Sequence, residues 1–224
     1  MYTEEQLGVW MDRIAKRSDN GLLQIFVTDH NPYKHVENIV SRVSSRLDRV
    51  LDVGCGTGEF MFQLKELFPT ASVSGVNLFA SQVALEPRDW GVPYILDFTK
   101  PVTPQMVDGP YSTVFCNYTL GHADNLSQFL KNAYDVLGPS GTFACWDVAP
   151  RTVMAKDFLG YRLRSAASML KSLNQAGFVD VTREFPEVPG EAYLSKNFLG
   201  VADPEIVDRV MWDLRPVLYV ARKI

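Results

Sequence analysis

Val50-Leu51-Asp52-Val53-Gly54-Cys55-Gly56-Thr57-Gly58-Glu59-Phe60 is the stretch on which the reading of this chain turns. Apolar residues of strand character, interrupted by one acid, run into three glycines spaced G-x-G-x-G, and a helical pattern begins at once. That is the pattern of a buried parallel strand turning sharply into a helix N-terminus. Glycines there let the backbone take positive φ and let a ligand come close to the main chain. Asp52 narrows the choice of ligand. A dinucleotide rests its pyrophosphate on the helix N-terminus, and an acid just before the glycines repels that charge. A ligand carrying an ammonium and a sulfonium is attracted instead. The third glycine also comes one residue early for G-x-G-x-x-G, with Glu59 where that pattern wants Gly or Ala.

The surrounding chain has the balance of an ordinary soluble enzyme. Its 224 residues suit one α/β domain, and 46% hydrophobic residues is typical of a globular core. A formal charge of -4 gives no general attraction to nucleic acid or to an anionic membrane. Cys55, Cys116 and Cys145 are odd in number and lie in or beside apolar runs, which reads as reduced thiols rather than a disulfide framework or a metal site. There is no charged-then-apolar leader and no apolar run long enough to cross a bilayer, so a cytoplasmic location is expected. His30 and His35 have no trusted metal-ligand spacing, and no metal is expected.

Strand and helix signals alternate along the chain. Thr3 to Ile14 reads as a helix, and a second runs from about Pro32 to Arg46 with Val36, Ile39, Val40 and Val43 inward. Strand Val50–Val53 is followed by helix Glu59–Leu67, which Pro69 ends. Ser72–Val76, Tyr94–Leu96 and Tyr111–Asn117 read as further strands, with a helix beginning at Ser81. Leu126–Leu137 is a helix, Gly138-Pro139-Ser140-Gly141 a turn, and Thr142–Asp147 a strand. Helix Ser165–Ala176, a stop at Gly177, strand Phe178–Thr182 and a last strand around Val217–Ala221 complete the order. That alternation calls for a parallel sheet with helices on both faces.

The glycine loop with its acid resembles motif I of the class I S-adenosylmethionine-dependent methyltransferases, small-molecule type. Gln175-Ala176-Gly177-Phe178 and Leu137-Gly138-Pro139-Ser140-Gly141 resemble further family features at the right distances, although the family usually has Lys-Pro-Gly-Gly at the second. The resemblance implies a Rossmann-like, doubly wound, seven-stranded α/β sheet whose last strand is antiparallel. It implies one domain over residues 1–224: a helical cap over 1–48, a cofactor core over 49–148, and a C-terminal half over 149–224. S-adenosyl-L-methionine is the implied cofactor and a small molecule the implied substrate.

In such a sheet ligands bind beyond the carboxyl ends of the strands. The resemblance assigns the cofactor to Asp52, Gly54, Cys55, Gly56, Gly58, Asn77, Leu78, Asp97, Phe98 and Asn117. Asp52 would neutralise the amino end, Asn77 hold the ribose and Asp97 accept the adenine amino group, with Phe98 near the ring. Asn77 departs from the usual acid and lacks its two-oxygen grip. Tyr118 and His122, after the fourth strand, and Tyr33, before the second helix, would reach the substrate. His122 is the candidate base, since an imidazole titrating near ~6.5 can take a proton at neutral pH. The same loop lacks the two prolines of the nucleic-acid adenine methyltransferases. Residues 148–164 and about 184–216 could set specificity, the second as a lid, a helix on the sheet edge or a dimer surface. The oligomeric state stays open, a homodimer included. Two other classes remain beside the small-molecule enzyme: a non-catalytic partner subunit of the same fold, and a nucleic-acid or protein methyltransferase.

Overall fold

The computed structural model describes residues 36–37, 39–43, 47–56, 58–80, 91–151, 157–158, 161–185 and 214–224. The sheet strands are β1 (Arg49–Val53), β2 (Ser72–Asn77), β3 (Val92–Ile95), β4 (Tyr111–Asn117), β5 (Leu137–Pro150), β8 (Val179–Glu184) and β9 (Leu214–Arg222). They lie in the order β3-β2-β1-β4-β5-β9-β8, and a separate two-stranded hairpin pairs β6 (Asp157–Phe158) with β7 (Tyr161–Arg162). Strands β1 to β5 run parallel to one another. Strand β9 enters antiparallel between β5 and β8. The expected Rossmann-like sheet with an antiparallel last strand is therefore the one observed.

Helix α1 (Glu59–Leu67) lies on one face of the sheet and buries Phe60, Met61 and Leu64 there, with Val36, Ile39 and Val43 beside them. It starts on Gly58 at φ 85, without a side-chain cap, and ends as Lys65 Nζ donates to the carbonyls of Pro69 and Ala71 at 2.7 Å each. Helices α2 (Leu126–Val136) and α3 (Ala166–Gln175) cover the other face through Phe129, Leu130, Ala133, Met169 and Leu173. Asn125 caps α2 by accepting from Gln128 N, and Ser165 caps α3 by accepting from Ser168 N. Gly177, at φ 99, turns the chain out of α3.

One local expectation is corrected. The Gly138–Gly141 turn is absorbed into β5, where Leu137 pairs with Tyr111 and Thr142 with Thr113. Five residues of β5 thus advance against two of β4. The excess is taken up as an irregularity with Ser140 at φ 58. The helices expected at Thr3–Ile14 and from Ser81 lie outside the described residues, as do Tyr33 and most of 184–216.

Candidate functional site

Register decides which side chains meet. Asp52 of β1 is paired with Gly75 of β2 and with Phe115 of β4. Asn77 and Asn117 each lie two residues further along those strands. Side chains alternate, so all three project from the face that α1 covers, with the asparagines roughly 6.6 Å nearer the carboxyl edge. All three are buried.

Two of them lack partners. Asp52 Oδ1 and both polar atoms of the Asn117 amide are shielded from solvent and make no hydrogen bond. Burial pushes the Asp52 carboxyl up from 3.8 to about 7, because nothing nearby repays the lost hydration of its charge. Asn77 differs: its Nδ2 donates to Phe79 O at 3.0 Å and closes the turn after β2. Leu78 is half exposed just beyond it.

The glycine loop frames this polar floor. Gly54 N and Cys55 N both donate to Val76 O, and Gly58 N donates to Cys55 O, so the loop is tied to β2 and to itself. Gly54 (φ +82) is obligatory for packing, since a Cβ there would stand 2.1 Å from Thr119 Oγ1. Gly56 (φ +54) is different, because a Cβ there would meet no atom within 4 Å. Its missing side chain opens onto free space, beside α1's uncapped N-terminus. The Cys55 thiol is buried against Gly75, and burial together with the Asp52 charge pushes its pKa up, so it packs and does not serve as a thiolate.

Beyond β3, Asp97 Oδ1 accepts from Thr99 N at 2.9 Å and Thr99 Oγ1 at 2.6 Å. Phe98 packs edge-to-face on Phe129 at 5.1 Å in the core under α2, not at an open edge. Beyond β4, Tyr118 adopts φ 48, which turns its ring into the α1-side core, where its hydroxyl accepts from Trp146 Nε1. In this conformation both rings are buried in the core layers on either face of the sheet.

His122 ends a 3-10 turn, Leu120–His122, with its N–H donating to Thr119 O at 2.9 Å. The residue is exposed, yet its neighbours desolvate the ring enough to lower its pKa below 6.5. At neutral pH it is a free base. The turn is held by residues the sequence reading did not single out. Arg164 donates to Leu120 O and Ala123 O, and Arg162 pairs with Asp124 at 2.7 Å. Asp147, buried at the far end of β5 with Oδ1 accepting from Val148 N, was also missed. The strand-end rule that led to Asn77 and Asn117 points equally at Asp147.

Residues 51–143 match the family described as "Methyltransferase domain". That match spans less than half of the chain. The chain is also similar to the malonyl-[acyl-carrier protein] O-methyltransferase of Legionella pneumophila, at 22% identity over 92% of this chain and 73% of that one. Against two Bacillus proteins of the same name the similarity spans 93 residues, 35% of their length. Among solved structures, the [4+2]-cyclase SpnF superposes with a TM-score of 0.75 at 16% identity, covering 99% of this chain and 97% of that one. Phosphoethanolamine N-methyltransferase 2 of Haemonchus contortus, solved with S-adenosyl-L-methionine, gives 0.69 at 17% identity over 96% of this chain and 59% of that one. One scaffold thus carries differently named chemistries, and the reaction has to be argued from the site. Among the described residues no helix is long and apolar enough to cross a membrane, and no cluster of three His, Cys, Asp or Glu could hold a metal.

Proposed function

We propose that this chain binds S-adenosyl-L-methionine and transfers its methyl group to a small-molecule acceptor. The observation that carries the reading is the unpartnered polar floor of Asp52 and Asn117, taken with the open space at Gly56 of the glycine loop that follows β1. Buried polar groups without partners are costly in a fold that binds nothing. An ammonium with an adjacent carboxylate supplies what they lack. The Asp52 carboxylate takes the ammonium, the Asn117 amide offers a donor and an acceptor to the same end, and Asn77 accepts from a ribose hydroxyl. Asp97 accepts from the adenine amino group. When bound, the cofactor supplies an electrophilic methyl carbon on a sulfonium.

The protein's own contribution is alignment and exclusion of water, which can be worth ~7 kcal/mol or more when two reactants are held in line. His122, neutral at pH 7, takes the proton of an acceptor that arrives protonated. The names of similar proteins include methylation on oxygen, nitrogen and carbon, so the acceptor class rests on residues beyond the polar floor. A net charge of -4 supports a small molecule over a nucleic acid. Calorimetric titration with S-adenosylmethionine, S-adenosylhomocysteine and NAD tests the cofactor. Micromolar binding of the first two alone is expected, and NAD binding in their place sinks the reading. Release of S-adenosylhomocysteine on addition of small acceptors then separates an enzyme from a partner subunit that only binds.

A further inference from the structure

Asn132 stands on α2, buried to 1% exposure and outside the polar floor, yet it is the most completely used amide among the described residues. Its Oδ1 accepts from Val102 N at 3.1 Å and from Gln128 Nε2 at 2.9 Å. Its Nδ2 donates to Phe98 O at 2.8 Å and to Lys100 O at 2.6 Å. An asparagine side chain has two donor hydrogens and two acceptor lone pairs, and all four are filled. Three of these bonds reach alternate residues, 98, 100 and 102, of the segment that leaves β3. That segment has no helix or strand of its own, whereas α2 is anchored in the core by Phe129, Leu130, Ala133 and Val136.

The segment begins at Asp97. Lys100 N donates to Asp97 O at 3.1 Å, and the side-chain bonds from Thr99 occupy Oδ1 alone. No hydrogen bond among the described residues uses Oδ2. The orientation of that oxygen follows from the turn, and the turn's position follows from Asn132. We propose that Asn132 is a positioning residue for cofactor recognition, holding the Asp97 turn so that its unused carboxylate oxygen faces the exocyclic amino group of a bound purine. The inference rests on the adenine role proposed above for Asp97.

S-adenosylhomocysteine and S-inosylhomocysteine differ in having the amino group or a carbonyl at that position, so their affinity ratio reads the Asp97 contact and is insensitive to general loosening. The wild-type chain should prefer the adenosyl compound. Asn132→Asp keeps an acceptor for Val102 but sets a carboxylate against two carbonyl oxygens, and the preference should fall about tenfold, the loss of one hydrogen bond to a charged group. Asp97→Asn should lose the preference too, and the double variant should lose no more than either alone. If Asn132→Asp does not fold, Gln128→Leu removes one support of the same amide, and the preference should fall about threefold by the same measure. A folded Asn132→Asp or Gln128→Leu with undiminished preference overturns the positioning role while leaving Asp97's standing. A wild-type chain with no preference, or Asp97→Asn with the wild-type preference, overturns the Asp97 reading and the proposal with it.

Discussion

The two edges of the parallel sheet use polar residues in opposite ways. At the amino edge, Tyr94 Oη donates to Asp108 Oδ2, Tyr111 Oη donates to Val107 O, and Arg49 donates to Asp108 O while lying 5.4 Å over the Tyr111 ring. Ser112 Oγ accepts from Arg49 N and donates to Arg49 O. These groups close on one another. At the carboxyl edge, Asp52 and Asn117 are buried, and Asp52 Oδ1 and the Asn117 amide close on nothing. The two edges thus differ twice over: the amino-edge groups are largely open to solvent yet satisfied, while the carboxyl-edge groups are sealed from solvent with hydrogen-bonding capacity left over. The first edge stabilises the fold, and on the function proposed above the second holds that capacity for a ligand.

The largest test of that contrast is Asp52→Asn. The folded pKa of about 7 lies above the ordinary 3.8, so the folded state binds the extra proton. Ionising Asp52 therefore costs stability that is absent below pH 3.8, grows between the two values and is complete above about 7. At pH 8.5 the ligand-free Asn variant should gain on the order of 2–4 kcal/mol over wild type while losing cofactor affinity. At pH 4 the stability difference should nearly vanish. Urea unfolding at the two pH values measures this, and a variant no more stable at pH 8.5 breaks the contrast.

Two glycines of one loop give the next test. Gly54→Ala forces a Cβ into Thr119 at positive φ and should cost roughly 3 kcal/mol. Gly56→Ala has free space and should cost about 1 kcal/mol of strain, yet it should abolish binding because the methyl enters the ligand's volume. Equal stability losses in the pair would show that Gly56 serves packing as well. At the amino edge, Tyr111→Phe deletes one buried hydrogen bond and should cost about 1 kcal/mol with cofactor affinity unchanged. A shift in affinity there would mean that the two edges are not separate.

The smallest expected effect is on pH. With the His122 pKa lowered, its activity limb should lie below pH 6.5, activity falling as the ring protonates. His122→Ala should remove that limb from the pH–rate profile. An unchanged profile assigns the proton to another group or to none.

Much of the scaffold was legible in the residues. Helix Glu59–Leu67 and strand Tyr111–Asn117 carry the bounds read from their patterns, because Pro69 and the apolar run act locally. The Gly138–Gly141 segment read as a turn and lies within β5, because Leu137 and Thr142 on either side of it both pair with β4, which no local pattern announces. Asp52 and Asn117 were legible as strand-end residues. Phe98 and Tyr118 sit equally close in sequence, but their rings were drawn into core layers built by α2 and β5. Asn132 was invisible in the sequence, one polar residue on a helix whose backbone partners lie 30 to 34 residues away.

The sequence by itself determined the alternation of strand and helix, the glycine-rich turn and the edge of the sheet at which ligands gather. Periodicity, positive φ and strand polarity are properties of neighbouring residues. Only the tertiary structure decided which polar atoms are satisfied and which are left over. That balance depends on segments far apart in the chain excluding water from the same few atoms.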